Sequence, residues 1–237
     1  MKKLYRYETH VHTKEGSACA SASGREMTRA HIEAGYSGMI VTDHFFNGHT
    51  AVPKHLPWKA RVNRLLRGYE NALDEAKGTG FQVFFAWEYT HPGGNDFLTY
   101  GLGKEFLLKY PDVLSWRIEK YFDIVHEEGG FIVQAHPFRE AFYIDAIRLF
   151  PEYTDAVEVI NASHDDPKFD ARALAYARKH SLLQISGSDS HHIDGLYGGG
   201  MEFDYEIKSI DEFIDAVKRK DGVLMAGNNG YPIYNYR

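Results

Sequence analysis

The sequence predicts an α/β barrel forming one domain over residues 1–237, and three observations predict it. Strand-like and helix-like segments alternate along the chain, as expected for a parallel sheet with helical crossovers. Histidines and carboxylates recur just past the ends of the strand-like segments, which share one face in a barrel. A length of 237 residues also suits a single barrel, since these run to roughly 200–250.

In chain order, residues 4–12 read as a strand ending in His10-Val11-His12. A helix follows, with Ser23 and Glu26 spaced as a capping box and Gly35 near its end. Gly38-Met39-Ile40-Val41-Thr42 is a short apolar run of the kind buried on both faces, and it stops at Asp43-His44. Trp58, Val62, Leu65, Leu66, Tyr69 and Leu73 have helical spacing over 58–77, closed by Gly78 and Gly80. Phe81 to Trp87 is the next strand, ending at Glu88, and Phe97 to Leu102 forms another. A helix over 113–128 stops at Gly129-Gly130, and the strand 131–135 ends at His136-Pro137. Ala156 to Ile160 ends at Asn161, and a helix over 168–180 precedes the strand 182–186, which ends at Gly187-Ser188-Asp189-Ser190-His191. A last helix near 210–220 leads to 222–226. The aromatic segment 230–236 has a place either across the barrel or against a neighbouring subunit. No repeat, proline-rich linker or shift in composition marks a domain boundary.

Composition narrows the class. Hydrophobic residues at 43% and charged residues at 25% describe an ordinary globular chain. A net charge of -6 offers no broad basic surface, so nucleic acid is not an expected partner, although a local cluster of cations can still receive a small anion. No stretch approaches the ~18 apolar residues of a membrane helix. The charged start, Met1-Lys2-Lys3, and the single cysteine, Cys19, agree with a cytoplasmic location.

Neutral imidazoles and carboxylates suit zinc, manganese and iron. Side chains alternate along a strand with period two, so His10 and His12 reach the same side, and Asp189 and His191 repeat that geometry later. Thr42-Asp43-His44 serves equally as a helix cap or as the source of a ligand. Glu88 after Phe84-Phe85-Ala86-Trp87 is harder to explain structurally, because a carboxylate ending a buried strand is costly unless paired or bound to metal. At least seven candidates on one face exceed the three or four that one ion takes, which points to several ions and to Glu88 as a bridge. Asn161 reads as orienting a ligand or as bonding its own turn. His49, His55 and His164 fall in loops, while His31, His126 and His180 fall in helices and read as structural.

The ordered set His10-x-His12, Thr42-Asp43-His44, Glu88, His136 and Asp189-x-His191 resembles the PHP (polymerase and histidinol phosphatase) family over residues 8–192. The resemblance implies a distorted (β/α)7 TIM-like barrel with two or three divalent ions (zinc, manganese or iron) at the C-terminal ends of its strands. It implies that His10, His12, Glu88 and Asp189 hold one ion, that Glu88 bridges to a second ion with His136, and that His44 and His191 hold a third. Two positions depart from the common pattern. After the His-x-His pair, where many members have a further histidine or aspartate, Glu15 is the first choice for the ligand and Cys19 the second. Before the strand near 97, Asp96 stands where a histidine is usual.

The implied activity is hydrolysis of phosphate esters, most simply of a small phosphorylated metabolite of the histidinol phosphate or nucleotide type. A metal-bridging hydroxide would be the attacking group, with Glu88 and Asp189 central to catalysis. Arg139, directly after His136-Pro137-Phe138, is the first candidate to bind the phosphate and to act in catalysis, followed by Lys14 and Arg25, for which the plain reading as surface cations is the preferred one. Two alternatives stand beside this reading. An amidohydrolase-type C–N hydrolase also begins with His-x-His, but such barrels often bridge their ions with a strand-end lysine, and no lysine ends a predicted strand here. A catalytically silent metal-binding module is the other, though decay should delete ligands and nearly the whole set is present.

Overall fold

The computed structural model describes residues 3–227. The aromatic segment 230–236 lies outside the described residues. The chain forms ten strands and seven α-helices in the described region: β1 (Tyr5–Val11), α1 (Gly24–Glu33), β2 (Gly38–Val41), α2 (Trp58–Leu65), α3 (Arg67–Ala76), β3 (Gln82–Phe85), β4 (Trp87–Thr90), β5 (Asp96–Tyr100), α4 (Lys104–Lys109), α5 (Ile118–Glu127), β6 (Phe131–Gln134), β7 (Ala156–Asn161), α6 (Pro167–His180), β8 (Leu183–Gly187), β9 (Met201–Phe203), α7 (Ile210–Arg219) and β10 (Val223–Leu224).

Local chemistry explains where the helices begin and end. Ser23 caps α1, accepting from the Glu26 amide while the Glu26 carboxylate reaches back to the Ser23 amide, so the expected capping box is present. Asp166 caps α6 with Pro167 in its first turn, where the missing N–H costs nothing. The helix expected over 58–77 is two helices, interrupted at Leu66. The one expected over 113–128 is a short 3-10 turn, Val113–Ser115, followed by α5.

The hydrogen-bonded ladders describe two five-stranded sheets, ordered β10-β9-β1-β2-β3 and β4-β5-β6-β7-β8, and do not draw one closed ring. Strands β1, β2 and β3 pair in parallel, as do β6, β7 and β8. The all-parallel expectation fails in two places. The strands β4 and β5 form an antiparallel hairpin that continues antiparallel onto β6, and β9 runs antiparallel to β1. A short turn at residues 91–95, with Gly94 at a φ of 85° that favours glycine, makes the hairpin possible where a crossover helix would need far more chain.

The two sheets meet at one end. Isolated bridges join Val11 to Ser190 and His44 to Glu88, so the chain just past β8 lies beside the end of β1, and the chain just past β2 lies beside β4. Apolar layers fill the space below. Tyr7, Ile40, Leu98, Val133, Val157 and Ile185 belong to one buried cluster, and Phe45, Trp87, Phe97 and Phe122 to another. The polar residues gather above these layers. Among the described residues, no helix is long and apolar enough to cross a membrane.

Candidate metal centre

The strand ends bring His10, His12, His44, Glu88, Asp96, His136, Asp189 and His191 together, and all but His44 and His191 are more than nine-tenths buried. Glu88 stands at the centre. Its Oε1 lies 3.3 Å from His10 Nε2 and 3.2 Å from His136 Nε2. Its Oε2 lies 3.5 Å from His12 Nε2 and 2.7 Å from His44 Nδ1, the latter pair out of line for a hydrogen bond. Asp189 Oδ1 is 3.1 Å from His12 Nε2 and 3.3 Å from His10 Nε2. Ligand atoms within 4.8 Å of one another define the groups His10/His12/Asp189, Glu88/Asp96/His136 and His12/His44/His191. Asp96 opens β5, whose antiparallel course brings its first residue to the same edge as the last residues of the parallel strands.

The histidines are fixed by outer partners. Glu158 Oε1 accepts from His10 Nδ1 at 2.9 Å, which leaves Nε2 facing the cluster. The Ser17 hydroxyl donates to Asp43 Oδ1 at 2.7 Å, so towards His12 Nδ1 at 2.9 Å it must accept. That makes Nε2 the lone-pair nitrogen of His12 as well. His191 Nδ1 donates to the Asp189 carbonyl at 2.8 Å. His136 and Asp189 have φ values of 29° and 53°, unusual for residues other than glycine and costly enough to need support from their surroundings. Glu158 supplies part of that support by accepting from the His136 amide at 2.9 Å.

Electrostatics follow from crowding. Burial alone would depress the His10 imidazole, but the charges of Asp189, Glu158 and Glu88 outweigh it and hold His10 well above its ordinary range. Burial and the neighbouring His191 and His44 push His12 well below it. Burial, with the charge of Glu88, pushes Asp96 up to about 8. Burial raises Glu88 and Asp189, yet the surrounding histidines, and for Asp189 also Arg139, bring both well below the usual carboxylate range. Burial likewise raises the Cys19 thiol, but His191 and His44 more than offset it and bring it to about 6. Four buried carboxylates (Glu88, Asp96, Glu158 and Asp189) face one arginine, and Glu88 Oε2 and Asp96 Oδ1 are buried without a hydrogen bond. Cations are the groups that such a donor set fits.

A cavity of about 610 Å³ opens over this cluster, with His44, Glu88, His136, Arg139, Asp189 and His191 in its wall. Arg139 Nη1 donates to Asp189 Oδ2 at 2.6 Å, and its Nε donates to His164 Nε2 at 3.2 Å. His164 is held in turn by Asp170 at 2.7 Å, so this loop histidine is buried and props Arg139 rather than meeting solvent. His49 lines the cavity and His55 is exposed.

Three expected residues do not reach the cluster. Glu15 accepts from the Gly24 amide at 3.2 Å and from Asn71 at 2.8 Å, so its carboxylate is engaged between α1 and α3. Lys14 is exposed and pairs with Glu26 at 3.2 Å. Arg25 pairs with Asp74 and Glu75 on the outside of α3. Two carboxylates went unnoticed in the sequence. Glu158 sits between Val157 and Val159, the same lone acid in an apolar strand that drew attention to Glu88. Glu8 accepts from the amides of Thr9, His10 and Ser188, and burial pushes it up to about 7. Asn161 donates to Glu158 Oε2 at 2.9 Å and so orients an outer partner.

A family profile described as PHP-associated matches residues 169–221. No curated protein matches the sequence. Among solved structures, a two-domain protein from Bacteroides vulgatus containing a PHP-like metal-dependent phosphoesterase is 13% identical, with a TM-score of 0.71 over 95% of this chain and 65% of that one. This chain therefore spans a little under two thirds of that protein. Endonuclease Q, in complex with a 27-mer duplex bearing an abasic lesion, is 13% identical with a TM-score of 0.64 over 92% of this chain and 57% of that one. An amidohydrolase from Chromobacterium violaceum with bound sulfate is 13% identical, with a TM-score of 0.53 over 89% and 96%. The endonuclease corrects the expectation about nucleic acid, because a protein of this fold takes a DNA duplex at its active site and a net charge is no ground for exclusion. Residues 169–221 thus match a PHP-associated profile, and the fold is the one shared with the PHP-like protein.

Proposed function

We propose that the chain is a metal-dependent hydrolase of phosphate esters, acting on a small phosphorylated substrate as a phosphomonoesterase. The observation that carries this reading is the position of Glu88. One of its oxygens lies between His10 and His136 and the other between His12 and His44, which is the disposition of a carboxylate shared by neighbouring ions. His10, His12 and Asp189 would hold one ion, Asp96 and His136 a second, and His44 and His191 a third, with Glu88 shared. Bound ions would supply Lewis acidity and a nucleophile at neutral pH.

The protein's own part is positioning. Glu158, Ser17 and the Asp189 carbonyl fix which ring nitrogen of His10, His12 and His191 faces inwards. Arg139 presents a guanidinium to the cavity, braced by His164 and Asp189, where it would meet the phosphoryl oxygens. A cavity of about 610 Å³ falls in the usual range for small-molecule sites, roughly 300–1,000 Å³.

The test is hydrolysis by protein stripped of metal and reconstituted with manganese, zinc or iron, with an aryl phosphate monoester and an aryl phosphodiester offered in parallel. Metal-restored phosphate release from the monoester supports the reading. Turnover of the diester alone moves the assignment to polynucleotide or other diester chemistry. Bound ions with neither ester cleaved overturn it.

A further inference from the structure

We propose that Phe142 and Tyr143 form a platform for a planar ring, so that the substrate carries its phosphate on an aromatic or heteroaromatic body. The inference deepens the phosphate-ester reading above, on which it rests, by naming what fills the rest of the cavity.

The cavity, at about 610 Å³, is larger than a phosphoryl group needs, and Arg139 serves only the anionic part of a guest. His91, Pro92, Phe142 and Tyr143 also stand in its wall. Phe142 is fully exposed and Tyr143 half-exposed, although large aromatic rings gain most from being covered. The two occupy the tip of a tight turn, closed by the Ile144 amide donating to the Ala141 carbonyl at 3.0 Å. Glycine, proline, asparagine and aspartate are the usual residues at such a tip. The two rings meet at 86° with centroids 5.4 Å apart. A flat guest stacked on one of them is therefore edge-on to the other, and both arrangements are favoured between aromatic rings.

The turn is fastened to the β4–β5 hairpin. The Asp145 amide donates to the Gly93 carbonyl at 3.1 Å. The buried Asn95 side chain donates to the Ala146 carbonyl at 3.0 Å and accepts from the Arg148 amide at 2.7 Å. The Tyr143 carbonyl lies so close to Gly94 that an added Cβ would come within 2.4 Å of it. The rings are thereby held in the wall that also presents Arg139, three residues before Phe142, which places their guest on the same molecule as the phosphate.

Calorimetric titration of the metal-loaded protein with three phosphonates tests this. Phenylpropyl-, cyclohexylpropyl- and propylphosphonate share an anionic head whose carbon–phosphorus bond ester hydrolysis does not break. The phenyl compound should bind about 10-fold more tightly than the propyl one, and more tightly than the cyclohexyl one. Phe142→Ala combined with Tyr143→Ala should erase that preference, whereas Phe142→Tyr, which keeps the ring, should retain it. Equal affinity for the phenyl and cyclohexyl compounds, or a preference that survives the double substitution, would overturn the proposal. So would a wild-type dimer in sedimentation that the double substitution dissociates, since the rings would then serve a second copy of the chain. Preferential binding of the phenyl compound by a protein that cleaves no phosphate ester would uphold the platform and overturn the hydrolase reading alone. Failure of all three to bind would overturn the phosphate site and the platform together.

Discussion

Glu158→Gln tests whether the outer partners hold the centre in shape. The substitution keeps size and removes charge, and the hydrogen bonds dictate its consequence. Glu158 Oε2 accepts from both the His136 amide and the Asn161 side chain, each at 2.9 Å, so a glutamine keeps its oxygen there. Its NH2 group must then face His10 Nδ1, where the carboxylate accepted at 2.9 Å. Two donors cannot share that contact, so His10 shifts its proton to Nε2 and loses the lone pair that faces Glu88 and Asp189. Loss of an outer partner of a ligating histidine typically weakens metal binding ~10–100-fold, or about 1.4–2.8 kcal/mol. Competition against a fluorescent zinc chelator measures it, with circular dichroism as the control for folding. Asn161→Ala leaves the carboxylate and its bond to His10 in place and should cost much less. Wild-type affinity in a folded Glu158→Gln protein would refute the argument that the tautomer of His10 matters.

Glu88→Gln and Asp189→Asn should each lower turnover by at least ~100-fold without unfolding the chain, because a direct ligand should matter more than an outer partner. Steady-state kinetics check this, and near-normal turnover would remove both from the centre. Arg139→Ala should chiefly raise KM if the guanidinium holds the phosphate alike in ground and transition states. His164→Phe should do the same more weakly, since it removes the acceptor that braces Arg139 Nε but leaves the guanidinium and its bond to Asp189 in place. His31, buried in α1, is pushed by burial from 6.5 down to about 4, so between those pH values the unfolded chain binds a proton that the folded chain does not. Its contribution to stability should therefore decline by about 3 kcal/mol as pH falls through that window, and His31→Phe should flatten the decline. Urea unfolding of both metal-free proteins at pH 7 and pH 4.5 checks this, and parallel declines would exclude His31 as a cause. Gly68→Ala should destabilise by about 1–3 kcal/mol, because an added Cβ would meet the Thr13 hydroxyl at 1.9 Å, and thermal unfolding measures it.

The convergence of the proposed ligands was legible because a strand end fixes where a residue must point. His10 and His12, His44, His136, and Asp189 with His191 follow β1, β2, β6 and β8, and each reaches the common face. Glu158 escaped notice although the reasoning that identified Glu88 applies to it equally. A lone carboxylate inside an apolar strand should have been read as paired wherever it falls. Glu15, Lys14 and Arg25 were misplaced for a different reason. They follow the His-x-His pair closely in sequence, but the loop turns outward, and α1 and α3 supply their partners instead. Nearness along a loop carries no direction, whereas nearness along a strand does. Asp96 shows the converse, since it reaches the face only because β5 runs antiparallel, a reversal that apolar periodicity does not encode.

The costs in this structure fall on the same few residues. Four carboxylates are buried around one arginine, two of their oxygens lack hydrogen bonds, and His136 and Asp189, which stand in the same cluster, are two of the four described non-glycine residues with positive φ. Each is unfavourable by itself, and a chain selected for stability alone would have replaced acids such as Asp96, which burial and Glu88 push up to about 8. Elsewhere local signals agree with the fold, as in the capping box of α1 and the Asp166-Pro167 start of α6. Strain and buried carboxylates that converge on one end of the sheets mark that end as the part shaped by chemistry. The net charge of -6 says little about what binds there, because the field at the cavity is set by Arg139 and by whatever cations the carboxylates gather.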